Sequence, residues 1–182
     1  MSAAGILAYT LRAGRFALAV LALWAALRAV LALRRRTSWK REALLGAAVF
    51  YLAALVQIIA LRGGPGQTRQ AQLVPMRTTL AQLRAGAWPF AYHLIGNMVW
   101  FVPLGILAPK LRSQRAADPT RAALGFIRVL ALGAALSACL EALQFILGTG
   151  VTDVDDVLVN ALGAGAGWLI ERIFSRQRRV SP

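Results

Sequence analysis

A chain of 182 residues that is 58% apolar and 15% charged, with a mean hydropathy of +0.59, holds more hydrophobic material than one soluble core of its size can bury. Lipid must cover the surplus. Its 21 lysines and arginines against 7 acidic residues give a net charge of +14, which in a soluble protein would suggest nucleic acid. The cations here fall between long apolar blocks, where they hold loops on the cytoplasmic face and contact anionic lipid, and no basic, aromatic-bearing domain is left to bind nucleic acid.

The sequence therefore predicts an all-α fold, a polytopic transmembrane helical bundle of about five spans in one membrane domain over residues 1–182. The spans are expected at 16–33, 43–61, 91–109, 122–147 and 154–171, each near the ~20 residues that cross a bilayer core. The first follows Arg12 and Arg15 as a signal peptide would. Arg34-Arg35-Arg36 follow it directly, however, with no small-residue cleavage site before them, so it reads as a retained helix. Arg28 in this block and Arg128 in the fourth lie close enough to a basic loop to snorkel to the interface.

Between the second and third blocks runs a polar loop, Arg62–Phe90, that opens on the turn-forming Gly63-Gly64-Pro65-Gly66. Its middle, Val74–Leu83, is expected to form a short helix on the membrane surface. Cys139 in the fourth block has no partner for an internal disulfide and reads as a small buried hydrophobe. In the fifth block Gly163-x-Gly165-x-Gly167 follows no strand, so a nucleotide-binding reading fails; Gly163 and Gly167, four apart, let another helix approach closely.

Loop charge sets the orientation. Arg34, Arg35, Arg36, Lys40 and Arg41 join the first two blocks, and Lys110, Arg112, Arg115 and Arg121 join the third and fourth. Arg172, Arg176, Arg178 and Arg179 form the tail. A five-span path puts all of these on one side, which gives an outside N-terminus and an inside C-terminus.

Polar side chains within spans are costly and mark candidate sites. His93 and Asn97 are four apart on one helix, Glu141 and Gln144 three apart on the next, and Asp153, Asp156 and Asn160 follow with spacings of three and four. At about 1.5 Å per residue, Asn97, Glu141 and Asn160 each lie roughly 9–10 Å inside the outer surface. Equal depth suggests one outward-facing polar pocket, with Arg77 in the external loop as an added ligand-binding candidate. The competing reading is that Asn97, Gln144 and Asn160 are interhelical hydrogen-bonding groups, and that Asp153 or Asp155 caps the last helix.

Three blocks in this order resemble a known family. They are Gly96-Asn97-Met98-Val99-Trp100-Phe101-Val102-Pro103-Leu104-Gly105, Glu141-Ala142-Leu143-Gln144, and Asp153-Val154-Asp155-Asp156-Val157-Leu158-Val159-Asn160-Ala161-Leu162-Gly163. They are similar to the N-x-x-x-F-x-P-L-G, E-x-x-Q and D-x-x-D-x-x-x-N-x-x-G blocks of the VanZ-like family of small bacterial membrane proteins, and Leu73-Val74-Pro75-Met76 is similar to its L-x-P-F element. The likeness covers roughly residues 72–170. The chain departs from the pattern at Gly148–Thr152, where the family has an arginine, and at Gln72 and Met76, where it has Asn and Phe. Arg77 is the nearest cation to replace that arginine.

The resemblance implies a multi-pass protein of the bacterial cytoplasmic membrane, in a family whose name-giving member is associated with teicoplanin resistance. The expected function is non-enzymatic: influence on glycopeptide or envelope-stress tolerance through binding of a lipid headgroup, a lipid-linked wall precursor or the antibiotic. The alternative is an intramembrane hydrolase or transferase using Glu141 and Asp156 as acid and base. Ion transport is disfavoured because the polar groups occupy only the outer half. No cofactor or metal is implied, the expected partners are membrane lipids, and the sequence leaves the oligomeric state open.

Overall fold

Apolar blocks of span length become helices because lipid offers the backbone no hydrogen-bonding partner. The computed structural model describes residues 3–32, 38–60, 69–111 and 119–180. Among them are six helices: α1 (Ala3–Ala32), α2 (Trp39–Leu55), α3 (Arg77–Ala85), α4 (Ala87–Leu111), α5 (Pro119–Leu147) and α6 (Val154–Val180). A π-helical turn, Val56–Ala60, extends α2. Four helical stretches of described residues, Trp39–Ala60, Ala87–Leu111, Thr120–Leu147 and Val154–Gln177, are long and apolar enough to cross a membrane. The first expected span, 16–33, falls on α1. Readings placed on Arg34–Arg36, Arg62, Gly63–Gly66, Arg112 and Arg115, and on the side chains of Arg12, Arg178 and Arg179, lie outside what is described.

Helix α6 is the centre of the bundle, with α4 on one side and α5 on the other. Its glycines explain why. A Cβ on Gly163 would meet the carbonyl of Met98, one on Gly167 that of Val102, and one on Gly105 of α4 the backbone of Ala164 and Trp168. The expected close approach of a helix at Gly163 and Gly167 is thus the contact of α6 with α4. On its other side, Gly133 of α5 lets Ala161 and Ala164 come near, and Phe126 packs on Trp168 with ring centroids 5.4 Å apart. The core between the helices holds Leu55, Phe101, Leu104, Val129, Leu140 and Ala164. Leu52, Val99, Leu132, Leu158, Leu162 and Leu169 stay exposed on outer faces, as contact with lipid tails requires.

Charged pairs tie the end opposite the polar cluster. Arg28 of α1 does more than reach for an interface: its guanidinium pairs with Glu42 of α2. Lys110 of α4 pairs with Glu171 of α6 at 3.0 Å. Cys139, expected to be buried, is exposed. The inner face of α5 is taken by Gly133, Ser137, Leu140, Glu141 and Gln144, and a residue two positions from Ser137 points about 200° away from it.

Two three-residue strands interrupt the helical plan. Strand β1 (Gln70–Gln72) pairs in parallel with β2 (Val151–Asp153), Gln70 opposite Val151 and Gln72 opposite Asp153. The pair stitches the long loop to the junction of α5 and α6. That junction is sharp because Gly148, at φ 62°, ends α5: its N–H reaches the carbonyl of Phe145, and the N–H of Thr149 reaches that of Gln144, the paired bonds of a Schellman stop.

Candidate functional site

The polar residues gather where α5 ends and α4 and α6 begin. Helix α6 starts at Val154, and the Asp153 carboxylate accepts the N–H of Asp155 at 2.9 Å, as an N-cap does. Its other oxygen receives the hydroxyl of Thr78. Glu141, only 4% exposed, reaches across from α5 and accepts the N–H of Asp153 at 2.9 Å, while Thr152 donates its hydroxyl to the Glu141 carbonyl at 3.0 Å. Glu141 and Asp153 thus hold the turn between α5 and α6 in place.

Asp155 has the deepest position of the acidic residues, at 0% exposure. Its Oδ1 accepts the N–H of Met76, and its Oδ2 accepts the N–H of Thr79 at 2.8 Å. Both N–H groups belong to the start of α3, which has no intrahelical acceptors for them. Met76 at that start is left-handed, at φ 64°, and has no capping side chain of its own. A carboxylate from another helix supplies the cap, favourably placed at the positive end of the α3 dipole. Sequence reasoning offered Asp155 a capping role on its own helix, not on α3.

Gln144 and Asn160 serve as interhelical glue. Gln144 Nε2 donates to the carbonyl of Ile59 at 2.6 Å, and Thr149 Oγ1 to that of Ala60 at 2.6 Å. These carbonyls belong to the π-helical turn that extends α2. Asn160 Nδ2 donates to Ser137 Oγ at 2.9 Å within the α5–α6 contact; its Oδ1 is buried with no partner among the described residues.

What remains is a smaller constellation on α4 and α6. Asn97 Nδ2 donates to Asp156 Oδ1 at 2.6 Å. His93 Nδ1 lies 3.5 Å from Asn97 Nδ2 and 3.9 Å from Asp156 Oδ1. The Asp156 side chain is 27% exposed and that of His93 11%, while His93 Nε2 is buried without a hydrogen-bond partner among the described residues. Arg77 is exposed at the start of α3, where its N–H donates to the Val74 carbonyl at 3.3 Å. The structure therefore brings His93, Asn97 and Asp156 together, sets Glu141 and Asp153 beside them as turn-holding groups, and gives Gln144 and Asn160 other partners. Side chains counted to one depth thus face different partners. Among the described residues, no three His, Cys, Asp or Glu side chains are placed to hold a metal ion.

These features define a polytopic helical membrane protein with a hydrogen-bonded polar cluster at one end of its tightly crossed helices. The family model described as VanZ/LLP1 matches residues 43–175, and the chain belongs to the VanZ/LLP1 family. The match takes in most of α2 as well as the blocks from which the resemblance was read. Comparison with curated proteins and with solved structures gave no match.

Proposed function

We propose that the protein sits in the bacterial cytoplasmic membrane with its N-terminus outside and C-terminus inside, and that the polar end of α4, α5 and α6 is an outward-facing site for the headgroup of an amphiphile. The ligand classes are a lipid headgroup, a lipid-linked wall precursor and a lipoglycopeptide of the teicoplanin type. Binding there would alter glycopeptide or envelope-stress tolerance without catalysis. Orientation rests on Lys40, Arg41, Lys110, Arg121, Arg172 and Arg176, which all lie toward the other end of the bundle.

One observation carries the reading. Asp155 and Asp153 accept hydrogen bonds at both carboxylate oxygens, and Glu141 is 4% exposed with its Oε2 on the Asp153 N–H, whereas the Asp156 side chain, hydrogen-bonded to Asn97, is 27% exposed beside His93. A carboxylate so placed accepts from ammonium or hydroxyl groups, and His93 Nε2 offers a further partner. Acid–base catalysis by Glu141 and Asp156 draws less support, because Glu141 is buried and engaged with the Asp153 N–H.

The test is a deletion strain complemented with the wild-type gene, Asp156→Asn or His93→Ala at matched membrane levels. Deletion is expected to change sensitivity to teicoplanin or to other envelope stress, with wild type restoring it and the variants failing to do so. Unchanged sensitivity on deletion would count against the proposal.

A further inference from the structure

Helix α3 differs from the spans around it in what it leaves uncovered. Its inner face carries Thr78, Thr79 and Gln82, partly or fully buried. Leu80 and Leu83 on the other side are 43% and 51% exposed, and Leu73, Val74 and Met76 just before the helix are 70%, 56% and 46% exposed. At about 100° per residue, Leu80 and Leu83 share one sector, with the exposed Arg77 and Arg84 in the next. Gly86 then turns the chain into α4, whose first turns expose Trp88 and Tyr92.

An apolar face flanked by two arginines, beside exposed Trp and Tyr at the mouth of a span, fits the boundary between acyl chains and headgroups. We propose that α3 and residues 73–76 form an interfacial anchor. Leu73, Val74, Leu80 and Leu83 enter the bilayer surface, while Arg77 and Arg84 contact the phosphates of anionic lipid. The surface is continuous with Trp88 and Tyr92 of a span that must itself face lipid. A second copy of the chain fits it worse, since a two-fold contact would bring the Arg77 and Arg84 pairs of both copies into one interface with like charges together. Held to α6 by Asp155, the anchor fixes the height of the polar end at the membrane surface.

The test uses Leu83→Cys and, separately, Ala85→Cys, each combined with Cys139→Ser, carrying an environment-sensitive fluorophore in vesicles. The label at position 83 is expected to be quenched by brominated acyl chains, and that at 85, on the opposite edge of α3, by aqueous iodide. Brominated phosphatidylglycerol should be preferred over brominated phosphatidylcholine by about fivefold for each arginine engaged, falling toward parity in Arg77→Gln/Arg84→Gln. Equal iodide access at 83 and 85 would overturn the anchor, as would cross-linking between copies through position 83. Equal preference for the two lipids in the unsubstituted arginine background would overturn the anionic contact. Leu80→Cys gives the same reading should Leu83→Cys fail to accumulate.

Discussion

The carboxylate of Asp155 and the backbone of Thr79 are hydrogen-bonded at 2.8 Å across 76 positions of chain. With Oδ1 on the N–H of Met76, this one side chain substitutes for the cap that the α3 segment lacks. A loop that would otherwise end in unsatisfied N–H groups is thereby joined to the first turn of α6.

Replacing Asp155 by Ala removes both acceptors and leaves the buried N–H of Thr79 unpaired, a loss of about 1–3 kcal/mol, with a smaller one at the more exposed Met76. The amides of residues 76–80 should exchange much faster in hydrogen–deuterium exchange, with those of α4 and α5 little changed. Asp155→Asn keeps one acceptor and should fall between the two. Unchanged exchange in Asp155→Ala would show that α3 holds its place by other contacts.

Much of this architecture was readable in the sequence. The last four apolar blocks fall on the four helical stretches long and apolar enough to cross a membrane, because that length is imposed by the bilayer, and Gly163 and Gly167 announced a close crossing because only small residues permit one. The α3 segment was foreseen as a short helix. The β1–β2 pair was not, since three-residue strands have no periodicity and join residues 81 positions apart, as Gln70 and Val151 do. Asp155 was undervalued because its partners lie in another segment, which spacing along one helix cannot reveal. Asn97 and Asn160, counted to similar depths along their helices, face Asp156 and Ser137 respectively. Depth follows from residue counting; direction depends on how helices are rotated against each other.

Helix α6 tolerates no side chain at Gly167. Gly167→Ala would drive its methyl group into the Val102 carbonyl, and the two backbones would have to part, at a cost of about 1–3 kcal/mol or more. Gly96→Ala is the control: nothing lies within 4 Å of its added Cβ, and helix propensity favours Ala by up to about 1 kcal/mol. Thermal unfolding in detergent should show a clear loss for the first and none for the second. Equal behaviour would mean that α4 and α6 are not packed backbone to backbone.

Gln144 and Thr149 both donate to the π-helical turn at Ile59 and Ala60. Gln144→Leu and Thr149→Val should each destabilise by about 1 kcal/mol net, more if a carbonyl is left buried without a donor. Because the two acceptors are adjacent, the double variant should differ from the sum of the singles, by about 0.5 kcal/mol or more. Strict additivity in a denaturant titration would show that the two donors hold the turn independently.

On the proposed reading, substitutions at Glu141 and Asp156 should separate stability from function. Glu141 is buried and its Oε2 holds the Asp153 N–H, so Glu141→Ala should lower stability by about 1–3 kcal/mol. Glu141→Gln retains an acceptor oxygen and should cost less. Asp156 is 27% exposed and accepts from Asn97 at 2.6 Å, so Asp156→Ala should cost less, about 1 kcal/mol. In the complementation assay the order reverses: Asp156→Ala should fail at wild-type protein levels, and Glu141→Gln should succeed wherever the protein accumulates. A stable Glu141→Gln variant without function would move the working carboxylate from α6 to α5, and a failing Asp156→Ala variant that also unfolds early would return Asp156 to the structural set.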